Sequence, residues 1–190
     1  MNQSVFTFAL ALITLLPFSG FTQVSIEGVT LPAVLESGES KLTLNGGGLR
    51  EKLWFDLYVG GLYLVEKSGD AEKIVDAEKP MAMRLHIISK LITSEKMSEA
   101  TLEGFEKSLD GNLGALEGKI NEFINVFKLD EIVEGDIFDL HYVPGKGVLT
   151  FKNSKLLSTI TGLDFKRSLF GIWLSDDPVD DDLKEGMLGK

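Results

Sequence analysis

The segment from Leu44 to Val65, LNGGGLREKLWFDLYVGGLYLV, limits the possible folds more than any other part of the chain. It joins three consecutive glycines, an isolated arginine and a long apolar run. Gly46, Gly47 and Gly48 permit positive φ or close backbone approach, and a sharp turn is the simplest structure they predict. Beyond it, Leu53, Phe55, Leu57 and Val59 fall on one face at period two, while Trp54, Tyr58, Leu62 and Leu64 make the other face nearly as apolar. A strand apolar on both faces belongs in the middle of a fold. Arg50 lies between the expected turn and this strand, where an inward guanidinium needs an anion or a set of acceptors. Arg50 is therefore the leading candidate for function. The plainer alternative is an arginine that ties the glycine turn to backbone carbonyls.

The N-terminus constrains the location of the protein. No charged side chain precedes Glu27, and Val5 to Leu16 is an apolar run too short to cross a bilayer comfortably, followed by Pro17, Ser19 and Gly20. The pattern predicts an export signal over residues 1–22, with cleavage near Thr22 and only the α-amino group as its positive start. A retained N-terminal anchor is the alternative. Residues 23–190 then form one domain, and 44% hydrophobic with 25% charged residues in the chain is ordinary globular composition. That domain holds every charged side chain and so keeps the net charge of −10, which repels phosphate backbones and anionic lipid heads and argues against a nucleic-acid partner. The chain has no cysteine, which excludes disulfides, thiolate metal sites, Cys nucleophiles and a lipid-modified N-terminal Cys. The expected location is periplasmic or secreted, without stable membrane insertion after cleavage.

Along the chain, Val24–Glu27 and Val29–Leu35 read as short strands separated by Gly28, with Pro32 marking an edge. Leu42–Leu44 leads into the glycines. A charged connection over 67–80 holds one helical turn at Ala71–Asp76, and Ala82–Ser89 reads as a strand with Met83, Leu85 and Ile87 on one face. Thr93 or Ser94 caps a helix carrying Leu102, Phe105 and Leu109. After Asp110-Gly111-Asn112, an apolar stripe of Leu113, Leu116, Ile120, Phe123 and Phe127 predicts a second helix, weakened by Gly114 and Gly118. Asp136–Tyr142 and Gly147–Lys152 form a hairpin around Val143-Pro144-Gly145-Lys146, a sequence suited to a type II turn. A strand at Leu156–Ile160 precedes a helix capped near Asp164, with Phe165, Leu169, Ile172 and Trp173 on its apolar face and Lys166 and Arg167 exposed opposite. Asp177-Pro178 supplies the cap and first-turn proline of a last helix, whose acids Asp180, Asp181 and Asp182 complement its dipole.

The other chemistry-bearing residues carry less. His86 and His141 lie in different strands without suitably spaced acids, so neither a metal site nor a Ser-His-Asp arrangement has support. The aspartates at 176, 177 and 180–182 lack the spaced ligands and central glycine of an EF-hand loop. No metal or cofactor is expected.

Three blocks together resemble the chalcone-isomerase-like family, in particular its bacterial exported members. They are NGGGLREKLWFDLYVGGLYL at Asn45–Leu64, KLITSEKMSEATLEGFEKSL at Lys90–Leu109, and the stretch from Val148 to Gly189 that contains FGIWL. The resemblance implies an α+β open-faced sandwich, a large antiparallel sheet with helices packed on one face and a ligand cleft between them. The family includes enzymes that close a chalcone to a flavanone, fatty-acid-binding proteins and relatives without known catalysis. In the enzymes an arginine after the glycines stabilises a substrate oxyanion, and Arg50 matches it. Where they place a threonine this chain has Tyr58, and a further hydroxyl position falls on Ile172. An arginine with a tyrosine at these positions resembles the fatty-acid-binding branch, where the pair holds a carboxylate.

Two parallel guanidinium donors, a phenol and an apolar cleft suit such a ligand. In one straight strand, however, Arg50 and Tyr58 would stand roughly 26 Å apart at about 3.3 Å per residue, so sharing a headgroup requires a chain reversal between Arg50 and Leu53. The expected function is non-catalytic binding of a fatty acid or similar small amphipathic carboxylate by Arg50 and Tyr58. The alternatives are an isomerase in which Arg50 is catalytic and a structural or partner-binding protein of the cell envelope.

Overall fold

The computed structural model describes residues 24–190, so the expected export signal lies outside the described residues. β1 (Val24–Ile26) and β2 (Val29–Leu31) form a small hairpin around Glu27-Gly28, and Pro32 falls between β2 and β3 (Val34–Ser37). β4 (Ser40–Lys52) and β5 (Phe55–Leu64) are the longest strands, followed by helix α1 (Ala71–Asp76) and β6 (Met81–Ile87). Helices α2 (Ser94–Ser108) and α3 (Glu117–Asn125) come next, α3 flanked by single 3-10 turns at Gly114–Leu116 and Val126–Lys128. β7 (Ile137–Val143), β8 (Gly147–Lys152) and β9 (Lys155–Ile160) complete the sheet before α4 (Leu163–Leu174) and α5 (Asp181–Met187).

Strands β3 to β9 pair in chain order, each antiparallel to the next. This is the expected α+β architecture. On the helix side Leu62, Met83, Leu85 and Leu140 pack against Phe105, Phe123 and Phe165. The opposite side is covered in part by the β1–β2 hairpin, whose Val29 and Leu31 join Leu42, Val59 and Tyr63. From Tyr58 onward the period-two reading of β5 holds, with Tyr58, Leu62 and Leu64 toward the helices and Val59 and Tyr63 away from them.

The glycine triplet does not form the turn. Gly46, Gly47 and Gly48 lie inside β4, opposite Leu62, Gly61 and Gly60 of β5, and the chain reverses instead at Leu53-Trp54. The glycines serve close approach. A Cβ on Gly48 would meet Leu183 Cα at 3.1 Å, and one on Gly60 would meet Met187 Cε at 2.4 Å, so these positions let α5 lie almost on the strand backbone. A bulge leaves Asn45 unpaired between Leu44 and Gly46. Its buried amide donates to Met187 O (2.8 Å) and Ser68 O (2.9 Å) and accepts from Ser68 N (2.8 Å), which ties α5 and the 65–70 connection to the sheet.

Two helix ends also differ from expectation. α5 starts three residues later than Asp177-Pro178 implies: its cap is Asp180, whose Oδ1 accepts from Leu183 N at 2.9 Å. Gly162, at φ +112°, precedes α4, and Asp164 lies in its first turn rather than capping it. The type II reading fits the β7–β8 turn, where Gly145 has φ +77° and Lys146 N donates to Val143 O at 2.9 Å.

Lys166 is fully buried rather than exposed. Its Nζ donates to Ile74 O (2.8 Å), Val75 O (2.5 Å) and Ala77 O (3.0 Å), and stands 5.4 Å from the centre of the Tyr142 ring. Three carbonyls at the end of α1 match the three donors of an ammonium, so a side chain on the wrong face of the α4 pattern becomes the C-terminal cap of another helix. Burial pushes Lys166 down to about 8, which leaves it protonated at neutral pH. Lys166→Met is expected to cost about 2 kcal/mol in urea unfolding, because it keeps the volume but strands buried carbonyls.

Candidate functional site

A cleft of about 640 Å³ lies between the helix-side face of the sheet and α2, α3 and α4. Its size is within the range of about 300–1,000 Å³ typical of small-molecule sites. The sheet contributes Tyr58, Leu85 and Phe138, while Met97 of α2 and Phe123 of α3 form apolar walls. Gly104 brings α2 against α4, since a Cβ there would meet Ile172 Cγ2 at 2.8 Å. A second depression of about 860 Å³ lies between Lys90–Glu95 and Lys128–Glu134, lined mainly by polar and charged residues, and it contains neither Arg50 nor Tyr58.

The reversal at Leu53-Trp54 brings the two expected ligand residues together. Arg50 on β4 and Tyr58 on β5 are directly paired across the ladder, so the distance problem of a single straight strand disappears. The reversal falls one dipeptide later than required by the straight-strand argument. Its effect is the same. A bulge between Arg50/Tyr58 and Glu51/Asp56 leaves Leu57 without a partner on β4. Bulges re-aim side chains, which explains why Leu57 lines the cleft beside Tyr58 instead of pointing to the opposite face with Val59.

Both residues have partners that the sequence did not reveal. Arg50 Nη1 donates to Asp180 Oδ2 at 2.9 Å and also to Glu51 O; the ion pair is largely shielded, with side-chain exposures of 16% and 12%. One carboxylate thus caps α5 and neutralises the arginine. The guanidinium also lies close enough to the Tyr58 hydroxyl to interact with it, so Arg50, Asp180 and Tyr58 form one polar cluster at the cleft.

Tyr58 Oη accepts from Trp173 Nε1 at 2.9 Å. An indole N–H can only donate, so this bond leaves the phenolic proton unused. Burial pushes the Tyr58 phenol up to about 12, and the Trp173 bond together with the charge and hydrogen bond of Arg50 only partly oppose that shift. The hydroxyl therefore stays protonated and is a donor. A guanidinium and a phenolic O–H, next to one another in an apolar cleft, are complementary to an oxyanion or carboxylate.

The departures at the other enzyme positions also have structural meaning. Ile172 is buried in the cleft wall, where a hydroxyl would have offered a polar contact. Trp173 was visible only as one member of an apolar stripe, although a buried Trp normally requires an acceptor. Asp180 was visible as a first-turn acid; that an inward arginine needs an anion was the signal that could have connected the two. His86 and His141 remain on neighbouring strands outside this cleft, and the described residues contain no group of three or more His, Cys, Asp or Glu placed to hold a metal ion.

If the Tyr58 O–H donates to a bound carboxylate, Tyr58→Phe should weaken binding of that carboxylate about 5-fold, from loss of one neutral donor worth about 1 kcal/mol. It should also lower thermal stability, because Trp173 Nε1 is left buried without an acceptor. Isothermal titration and thermal unfolding of the same variant check the two effects.

A model of the chalcone isomerase-like family matches residues 23–189. No curated protein sequence matches the chain. Among solved structures, it is similar to the crystal structure of an Arabidopsis thaliana fatty-acid binding protein, at 18% identity and a TM-score of 0.70, covering 88% of this chain and 96% of that one. The structural likeness establishes the fold, and the family match spans nearly all of the described residues: the chain belongs to the chalcone isomerase-like family.

Proposed function

We propose that this protein binds a fatty acid or similar small amphipathic carboxylate without turning it over. The observation that carries the reading is the cross-strand pair of Arg50 and Tyr58, which sets a guanidinium beside a phenolic O–H donor at an apolar cleft of about 640 Å³. The structural likeness to a fatty-acid binding protein supports the same ligand class. Ile172, apolar at a position where the family's enzymes carry a hydroxyl, suits an acyl chain better than a polyphenol.

The ligand would meet Arg50 on the side that Asp180 leaves free, so its carboxylate is held without breaking the cap of α5. Location follows the N-terminal pattern: an exported protein, periplasmic or secreted, cut near Thr22. The start of the family match at residue 23 is in keeping with that boundary.

Expression of the chain from Gln23 onward, followed by organic extraction and mass spectrometry, tests the proposal. The expected result is a stoichiometric fatty acid in the wild type that is absent from Arg50→Ala. Lipid-free protein from both, with chalcone turnover that depends on Arg50, would instead make the family's isomerase chemistry the function.

A further inference from the structure

The hairpin that brings Arg50 to Tyr58 carries an unusual tip. Leu53 and Trp54 occupy a two-residue loop with φ values of +51° and +71°, the backbone handedness of a type I′ turn. Asn-Gly is favoured there, because positive φ is costly for a side chain with a Cβ and more so for a bulky one. Here both positions are large and apolar, and both face solvent: Leu53 is 76% exposed, Trp54 92% and the adjoining Phe55 56%. A strained turn that exposes three successive apolar side chains sacrifices both conformational ease and solubility, a combination associated with functional surfaces.

The location of the tip indicates what it meets. Leu53 and Phe55 line the opening of the ligand cleft together with Leu91, itself 41% exposed on the segment before α2. The apolar surface is thus continuous from the tip into the site. Charges of both signs surround it: Lys52 and Lys96 line the opening without an ion pair among the described residues, and Glu99 and Glu103 stand on the adjacent helix α2. A mixed rim complements zwitterionic headgroups, and an exposed Trp is at home in the headgroup layer. The net charge of −10 disfavours a strongly anionic surface.

We infer that the Leu53-Trp54-Phe55 tip inserts into a zwitterionic lipid surface, so that an acyl ligand passes between bilayer and cleft without crossing water. The ligand passage rests on the fatty-acid reading above; the docking of the tip does not.

The variant Trp54→Gly tests this, because Trp54 does not line the cleft and glycine is favoured at its φ. Wild-type protein is expected to co-sediment with phosphatidylcholine vesicles, less so when phosphatidylglycerol is added, and Trp54→Gly to lose at least ten-fold in association. Transfer of a fluorescent fatty acid from those vesicles should rise in rate with vesicle concentration for the wild type and fall at least ten-fold in the variant. Affinity for the same probe without vesicles should change less than two-fold, and Trp54→Phe should retain most of the association. Wild-type protein that ignores vesicles would overturn the proposal. Equal association of wild type and Trp54→Gly would overturn it as well. Wild-type protein that docks through Trp54 but binds no fatty-acid probe would sustain the docking and refute the ligand reading.

Discussion

Replacing Gly46 with alanine is expected to destabilise the protein by about 3 kcal/mol, near the upper end of ordinary overpacking costs. The new Cβ would stand 2.2 Å from Gly186 O, 2.9 Å from Gly189 N and 3.0 Å from Met187 O. All three are backbone atoms, so relief requires α5 or the strand to move. For a domain of this size the loss corresponds to a melting temperature lower by about 6–12 °C, readable by circular dichroism. The effect reaches the site because α5 is capped by Asp180, the partner of Arg50. Gly118→Ala is the contrasting control: no atom lies within 4 Å of its Cβ position, and alanine favours the helix by about 1 kcal/mol. Opposite signs at the two positions would show that Gly46 is there for contact with α5 and not for chain reversal.

The second large effect is on binding. On the proposed reading, Arg50→Ala removes a charge-assisted bond worth about 1.5–3 kcal/mol, so affinity for a fatty-acid probe should fall about 10- to 150-fold. The same change leaves Asp180 shielded and without its cation, and stability falls too. Asp180→Asn separates the two losses. Asparagine still caps α5, so adding it to Arg50→Ala should restore stability and leave affinity low. Affinity restored by the second change would mean that Arg50 acts on the ligand only through the position of α5.

Much of the fold was legible because its signals are local. The stripe over Leu116, Ile120, Phe123 and Phe127, the cap at Thr93 and the Pro144-Gly145 turn each express a periodicity or turn chemistry contained within a few residues. The misplaced reversal has the opposite origin. Three glycines suggest a turn when viewed locally, but Gly46 and Gly48 are fixed by Gly186 and Leu183, over 130 residues away in sequence, and Gly47 by Leu31 of the β1–β2 hairpin. Leu53-Trp54, whose residues are among the least suited to positive φ, fits the apolar alternation of a strand when viewed locally, for the same reason. Lys166 looked exposed because it opposes the apolar stripe of its own helix, and only the carbonyls of α1 make its burial tolerable.

The site followed the same division. Arg50 and Tyr58 stood out as residue types and as positions of family resemblance, but their adjacency depended on a reversal that local propensity argues against. Trp173 and Asp180 set the hydrogen-bonding state of that pair from more than a hundred residues away. Which donors remain free for a ligand is therefore a property of the assembled fold.

Titration of the wild type and Arg50→Ala with palmitate and with 1-hexadecanol isolates the carboxylate from the acyl chain. If Arg50 and Tyr58 hold a carboxylate, the wild type should bind palmitate at least ten-fold more tightly than the alcohol, and Arg50→Ala should bind the two alike, near the wild-type affinity for the alcohol. Equal affinity of the wild type for both ligands, or a palmitate preference that survives in Arg50→Ala, would contradict the assignment.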